Sequence, residues 1–422
     1  MTIIQATQQN PANASLPHDQ AEKDNFSYFH KETGIDHDGN IYPEAIRHVL
    51  LGFYTVAAEE MSTSKQKDEE LEAPTPSVKS IVDNIRAWLA PQAEPLSLKD
   101  WINKIYNQFH GEATEDKENV AKVAVCAAFL RGKSRLAAST DAKSLSRSAV
   151  TEFEMDFIYG VIKAALTSKK TKYYTWGVKR SSQGFVFVSL YTMIDHALPH
   201  TPIMEMFRLH VWLPDGHRGN SLLKVHSHTA HGTSWILTGE GTNQLWEVTP
   251  TTNSGPNVYA LYIPKWHLTV KATTPTTDAA PIEKPDDTDA DTGYKHPSVQ
   301  KSSSLVKTDQ LVEIKPTSTH IHNRNESYAI RAGDYHSSEV AGNHVHSTLF
   351  FFDAFPSCVD PAPIVGPTDG NIDTVAKREA DGITVQDLFG NVNRWRELNE
   401  EYDAETKGYK NRKGAREVFP GC

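Results

Sequence analysis

GNSLLKVHSHTAHGTSWILTGEG, running from Gly219 to Gly241, holds the pattern on which the fold reading turns. Within it His226 and His228 stand two residues apart in a strand-like context, so both side chains leave the same face. Two imidazoles so placed can meet one divalent ion with nitrogens at ~2.0–2.2 Å. The motif closes on a Gly239-x-Gly241 turn. Downstream, YAIRAGDYHSSEV (Tyr328 to Val340) puts His336 three residues beyond Gly333, where a glycine-assisted turn delivers it at the start of a strand. His336 is therefore the expected third ligand. Three imidazoles leave coordination positions open for substrate and oxygen, which a structural site with four filled positions does not.

Around these motifs the chain reads as β-structure from Gly184 onward. FVFVSLYTMI (Phe185 to Ile194) and MFRLHVWLP (Met206 to Pro214) are β-branched and aromatic runs bounded by turn residues. Histidines gather in two neighbourhoods, His210, His217, His226, His228 and His231, then His336, His344 and His346. His344 and His346 alternate like the first pair, and either is a candidate acid/base. Trp212, Trp235 and Trp246 fall in the strands; Trp235 and His231 are the candidates for lining a substrate pocket, although strand aromatics are mostly core.

Before Gly184 the grammar is helical. Pro43 opens a helix over Tyr42 to Glu60, with Ile46, Val49, Leu50 and Phe53 on one face. Ser62 to Ser77 is charged and proline-rich, a linker. Helices are expected over Val78–Leu89, Leu98–Phe109 (entered through Ser97 and Asp100), Glu115–Leu130 and Thr151–Ala165. Thr273 to Ser304 is almost devoid of large apolar residues and reads as a flexible insertion. Thr384 to Trp395 suits one last packed helix or strap. The division expected is a disordered leader (1–24), a mainly helical region (25–170), a β-barrel (171–356) and a C-terminal extension (357–422), an α+β chain.

GNSLLKVHSHTAHGTSWILTGEG resembles the first characteristic motif of the cupin superfamily, and RAGDYHSSE the second, in the expected order. The resemblance implies a double-stranded β-helix, or jelly-roll, barrel. The usual first motif carries a glutamate ligand shortly after HxH; here Gly232, Thr233 and Ser234 stand there, which favours a three-histidine site. Phe207 to Asp353 is similar to cysteine dioxygenase and related thiol dioxygenases. That likeness implies ferrous iron held by His226, His228 and His336, and an anion-binding arginine at Arg208. It departs from them where their crosslinking cysteine would lie, near Gly232, and where their tyrosine falls among Phe350, Phe351 and Phe352.

The formal charge of −10 is spread without a basic block, which argues against a nucleic-acid partner. Three scattered cysteines make neither a disulfide framework nor a thiolate zinc site. No apolar leader or membrane span is visible, so a cytoplasmic protein is expected. GIDHDGNIYPEA (Gly34 to Ala45) has the core of a calcium loop at Asp36 and Asp38. Gly34 stands where the first ligand belongs, and Glu44 falls one residue short of the bidentate position, so a capping turn is the favoured reading. Nucleophile elbows, Walker loops and dinucleotide fingerprints are missing in their required contexts. The expectation is a non-haem Fe(II) oxygenase or dioxygenase acting on a small organic molecule with O2, compatible with a homo-oligomer. The alternatives are an isomerase or lyase using zinc, manganese or nickel, and a non-enzymatic ligand-binding cupin.

Overall fold

The computed structural model describes residues 33–64, 78–111, 114–138, 149–169, 176–194, 203–269, 299–369, 376–377, 382–405 and 408–411. Five helices come first: α1 (Pro43–Ser64), α2 (Val78–Leu89), α3 (Leu98–Phe109), α4 (Glu115–Ala138) and α5 (Glu152–Leu166). Ile46, Val49, Leu50 and Phe53 form the buried stripe of α1, as their spacing requires. Ser97 caps α3 by accepting from the Asp100 amide, and Thr151 with Glu154 forms a reciprocal capping box on α5. Helix α4 runs eight residues past the Leu130 boundary expected for it, because Arg131, Ser134, Arg135 and Leu136 are buried by tertiary contacts that its polar letters do not advertise.

The strands follow: β1 (Lys179–Arg180), β2 (Val186–Ile194), β3 (Ile203–Trp212), β4 (Ala230–Thr238), β5 (Gly241–Pro250), β6 (Val258–Thr269), β7 (Val299–His322), β8 (Ser327–Ile330), β9 (Tyr335–Glu339), β10 (His346–Cys358) and β11 (Ile364–Gly366). They build two antiparallel sheets, ordered β1-β2-β3-β10-β4-β8 and β11-β6-β7-β5-β9. The described strands do not close into a barrel. Strand β7 begins at Val299, so the low-hydrophobicity stretch yields to sheet pairing before Ser304; the leader and residues 273–298 lie outside the described residues. Beyond residue 356, β11 still pairs with β6, so the start of the C-terminal extension is part of the second sheet.

Alternation along β3 assigns its two faces. Phe207, Leu209 and Val211 join one core with the helices, whereas Met206 packs with Phe350 and Phe352 on the other side. The helical layer is also held by charge. Arg131 on α4 grips Glu205 through two hydrogen bonds of 2.9 and 3.0 Å, and Arg135 joins Asp353 (2.6 and 3.0 Å) to Glu205 (2.9 Å). Tyr191 donates to Glu205 at 3.1 Å, and Ser134 meets Thr233 at 2.7 Å. Burial alone would raise the Glu205 carboxyl, but Arg131 and His48 overcome it and hold the group well below the ordinary range. At the far end, α6 (Val385–Asn399), capped by Thr384 and Asp387, buries Leu388, Phe389, Val392 and Trp395 in the same core.

Candidate metal centre

His226 and His228 do not lie on a hydrogen-bonded strand. They stand on the extended segment just before β4, held by single bridges from His226 to His336 and to Ile364. The His226 amide donates to the His336 carbonyl at 3.0 Å, and the His336 amide returns a bond of 2.9 Å. Ser227 donates to Pro363, and the Gly333 amide to the His228 carbonyl. The pair thus lies on the seam between the two sheets, where the extended backbone still alternates. Val225, Ser227 and Thr229 are buried, and the two imidazoles leave by the opposite face. Gly333 has φ +85°, the left-handed conformation a glycine accepts without strain, and its turn leads into β9 with His336.

One ring nitrogen from each of His226, His228 and His336 lies within 4.8 Å of the others. The Nδ1 nitrogens of two of them are already committed. His226 Nδ1 donates to the Lys224 carbonyl at 2.9 Å, and His336 Nδ1 donates to Asn243 Oδ1 at 2.9 Å. Their Nε2 lone pairs are left for the centre, and His228 Nε2 stands 3.1 Å from His336 Nε2. Burial lowers all three: His226 falls despite its bond to Lys224, His228 goes to about 3 under burial and the His226 charge, and His336 falls well below its ordinary value. Neutral imidazoles with oriented lone pairs are the donor set that a divalent transition metal requires, so the residues fit such an ion.

The face of the first sheet beside the triad is aromatic and basic. Phe350 and Phe352 approach the His228 ring at 5.9 and 5.4 Å. Gly232 makes room for them, since a Cβ there would stand 3.2 Å from the Phe350 ring and 3.3 Å from His228 Nδ1. Arg208 lies opposite Phe350 across the β3–β10 ladder and rests its guanidinium 4.5 Å from the Phe187 ring centre. His210, to which the sequence reading gave no role, is stacked between Phe185 (4.2 Å) and Phe350 (5.1 Å). Burial, then the Arg208 and His228 charges, push it far below its ordinary value. The Arg208-x-His210 spacing was the available signal, because alternate strand residues share a face.

Three expected site residues stand elsewhere. Trp235 packs in the core shared with the helices, and His231 sits opposite Asp353, so register turns both to the helix-facing side of the sheet. His344 lies against Trp395 of α6, ring centres 5.3 Å apart, away from the triad. His346 does face inward but meets Trp212, and it borders a water-sized cavity of about 10 Å³ together with Asn243 and Tyr328. Burial, partly opposed by a bond to the Gly239 backbone, takes His346 down to about 4. Asp36 is occupied as a turn cap: its carboxylate accepts from the amides of Asp38 and Asn40 and from the Asn40 side chain at 2.8–2.9 Å.

No family model matches the chain, and no curated protein does so significantly. Solved structures with partial likeness include hydroxypropylphosphonic acid epoxidase from S. wedmorenis, at 10% identity and a TM-score of 0.21, covering 61% of this chain and 96% of that one. The capsular polysaccharide assembling protein CapF from Staphylococcus aureus is another, at 11% identity and a TM-score of 0.20, covering 78% and 60%. Overlap this slight bears on neither fold nor chemistry. No described helix is long and apolar enough to cross a membrane.

Proposed function

We propose that this chain is a metal-dependent cupin oxygenase or dioxygenase that acts on a small organic substrate with O2 at a ferrous centre held by His226, His228 and His336. The observation that carries the reading is the convergence of three imidazoles, two of which, His226 and His336, have their outer nitrogens committed to Lys224 and Asn243. When bound, the ion would supply open coordination positions at which substrate and oxygen meet. The chain's own residues do the rest. Arg208 offers a guanidinium to an anionic group of the substrate, on the sheet face shared with Phe350. Phe350 and Phe352 exclude water beside His228. His346, neutral at physiological pH, borders the small cavity it shares with Asn243, through which a proton could pass.

Elemental analysis of the purified protein, followed by oxygen-electrode assays against a panel of small thiols and carboxylates, tests this. Bound iron with substrate-dependent O2 uptake is the expected result. Bound zinc, manganese or nickel without O2 uptake would replace the reading with a Lewis-acid isomerase or lyase.

A further inference from the structure

The triad has a fourth neighbour, on the turn between β1 and β2. Gln183 Nε2 lies 3.3 Å from His226 Nε2, on the nitrogen turned away from Lys224. Two donors bound at ~2.1 Å to one ion stand roughly 3.0–3.4 Å apart at angles between square and tetrahedral. The Gln183 amide therefore already keeps a co-ligand's separation from His226, as do His228 and His336 from each other at 3.1 Å.

The turn that carries it is held tightly. The Gly219 amide donates to the Gln183 carbonyl at 3.0 Å, and the Gln183 amide to Ser181 Oγ at 3.1 Å. A Cβ on Gly219 would stand 2.7 Å from the Gln183 Cα, so the two loops are in backbone contact. Gly184, at φ +92°, lies equally close to the Arg218 Cα. With the backbone fixed, only the side chain needs to adapt. Without an ion the amide N–H donates to the His226 lone pair. Once that lone pair is given to a cation, an N–H there is repelled, and a half-turn about the terminal torsion exchanges Nε2 for Oε1. The Phe350 and Phe352 rings flank His228 at 5.9 and 5.4 Å, and no carboxylate follows the HxH pair through Ser234.

We infer that Gln183 supplies, through Oε1, the fourth protein ligand of the metal centre, a neutral oxygen from the β1–β2 turn where a carboxylate after HxH is missing. The inference rests on the triad being a metal site. The test uses the full chain, stripped by chelation and titrated with Co(II), read by calorimetric affinity and by the visible d–d spectrum. Gln183→Ala is expected to weaken Co(II) binding ~10-fold or more and to change the d–d intensity, whereas Gln183→Glu, which keeps an oxygen donor, restores both. Gln183 is solvent-exposed, and unchanged circular dichroism confirms that its variants fold. Wild-type affinity in Gln183→Ala, or weaker affinity with an unchanged spectrum, overturns the ligand role while the triad stands. Co(II) binding that survives His228→Ala instead overturns the triad, and the Gln183 inference with it.

Discussion

The six-stranded sheet buries a polar cluster on each face: the charged groups of one satisfy each other, although His231 Nε2 beside them has no partner among the described residues, while the other holds several unmatched atoms. Toward the helices, Arg131, Arg135, Glu205 and Asp353 meet one another in bonds of 2.6–3.0 Å, and Tyr191 and His48 complete the Glu205 carboxylate. On the inner face, His210 Nε2, His228 Nδ1, His346 Nδ1 and Ser189 Oγ have no hydrogen-bond partner among the described residues. A buried polar atom left unmatched costs ~1–3 kcal/mol. A closed network fixes one element on another; an open one, beside three converging imidazoles, leaves valences for something that arrives later. The helix-facing cluster is accordingly an anchor, and the inner one is the candidate site.

Breaking the anchor should have the largest effect. Arg135→Met strands Asp353 and half of Glu205 in the interior, and a loss of ~3–5 kcal/mol is expected in denaturant unfolding. A loss under ~1 kcal/mol would mean that water reaches the cluster and that it does not fix the helices.

Changes to the triad should separate metal from fold. His226→Ala, His228→Ala and His336→Ala are each expected to remove most bound metal, measured by elemental analysis, while the metal-free proteins unfold within ~1–2 kcal/mol of the metal-free parent. A variant that keeps full occupancy identifies a residue that is not a ligand.

Acid should distinguish the clusters without mutation. In the metal-free fold His210 and His346 are depressed, His346 to about 4, alongside His226, His228 and His336, so the unfolded chain takes up their protons first. Their contribution is whole above the unfolded value of ~6.5 and is lost as pH falls from there toward 4, by up to ~1.4 kcal/mol per pH unit for each group. Glu205 is depressed in the same sense but from a lower starting value, so its contribution is whole above the ordinary carboxylate value and is lost only as pH falls below it. Urea midpoints of metal-free protein should therefore decline between pH 6.5 and 4.5, and His210→Phe should flatten the decline. An equal slope in that variant would remove His210 from the account.

The smallest effect belongs to the surface. His217 is two-thirds exposed, and its side chain pairs among the described residues with Asp215, at 3.3 Å, so His217→Ala should leave metal content unchanged and stability within ~0.5 kcal/mol. Any larger change would show the 214–220 turn acting on the site through Gln183.

Periodicity by itself determined much of this molecule. The buried stripe of α1, the bounds of α2 and α3, the shared face of His226 and His228 and the Gly333 turn into His336 are all local, because helical and extended backbones impose fixed spacings on neighbouring residues. The tertiary structure alone decided what those faces meet. Register between β4 and β10 sent Trp235 and His231 to the helix side, packing against Trp395 took His344 from the triad, and backbone contact with Gly219 brought Gln183 to His226 across 43 positions of sequence. Spacing fixes the direction of a side chain relative to its own strand, whereas its partners depend on pairings between distant segments that no local pattern encodes.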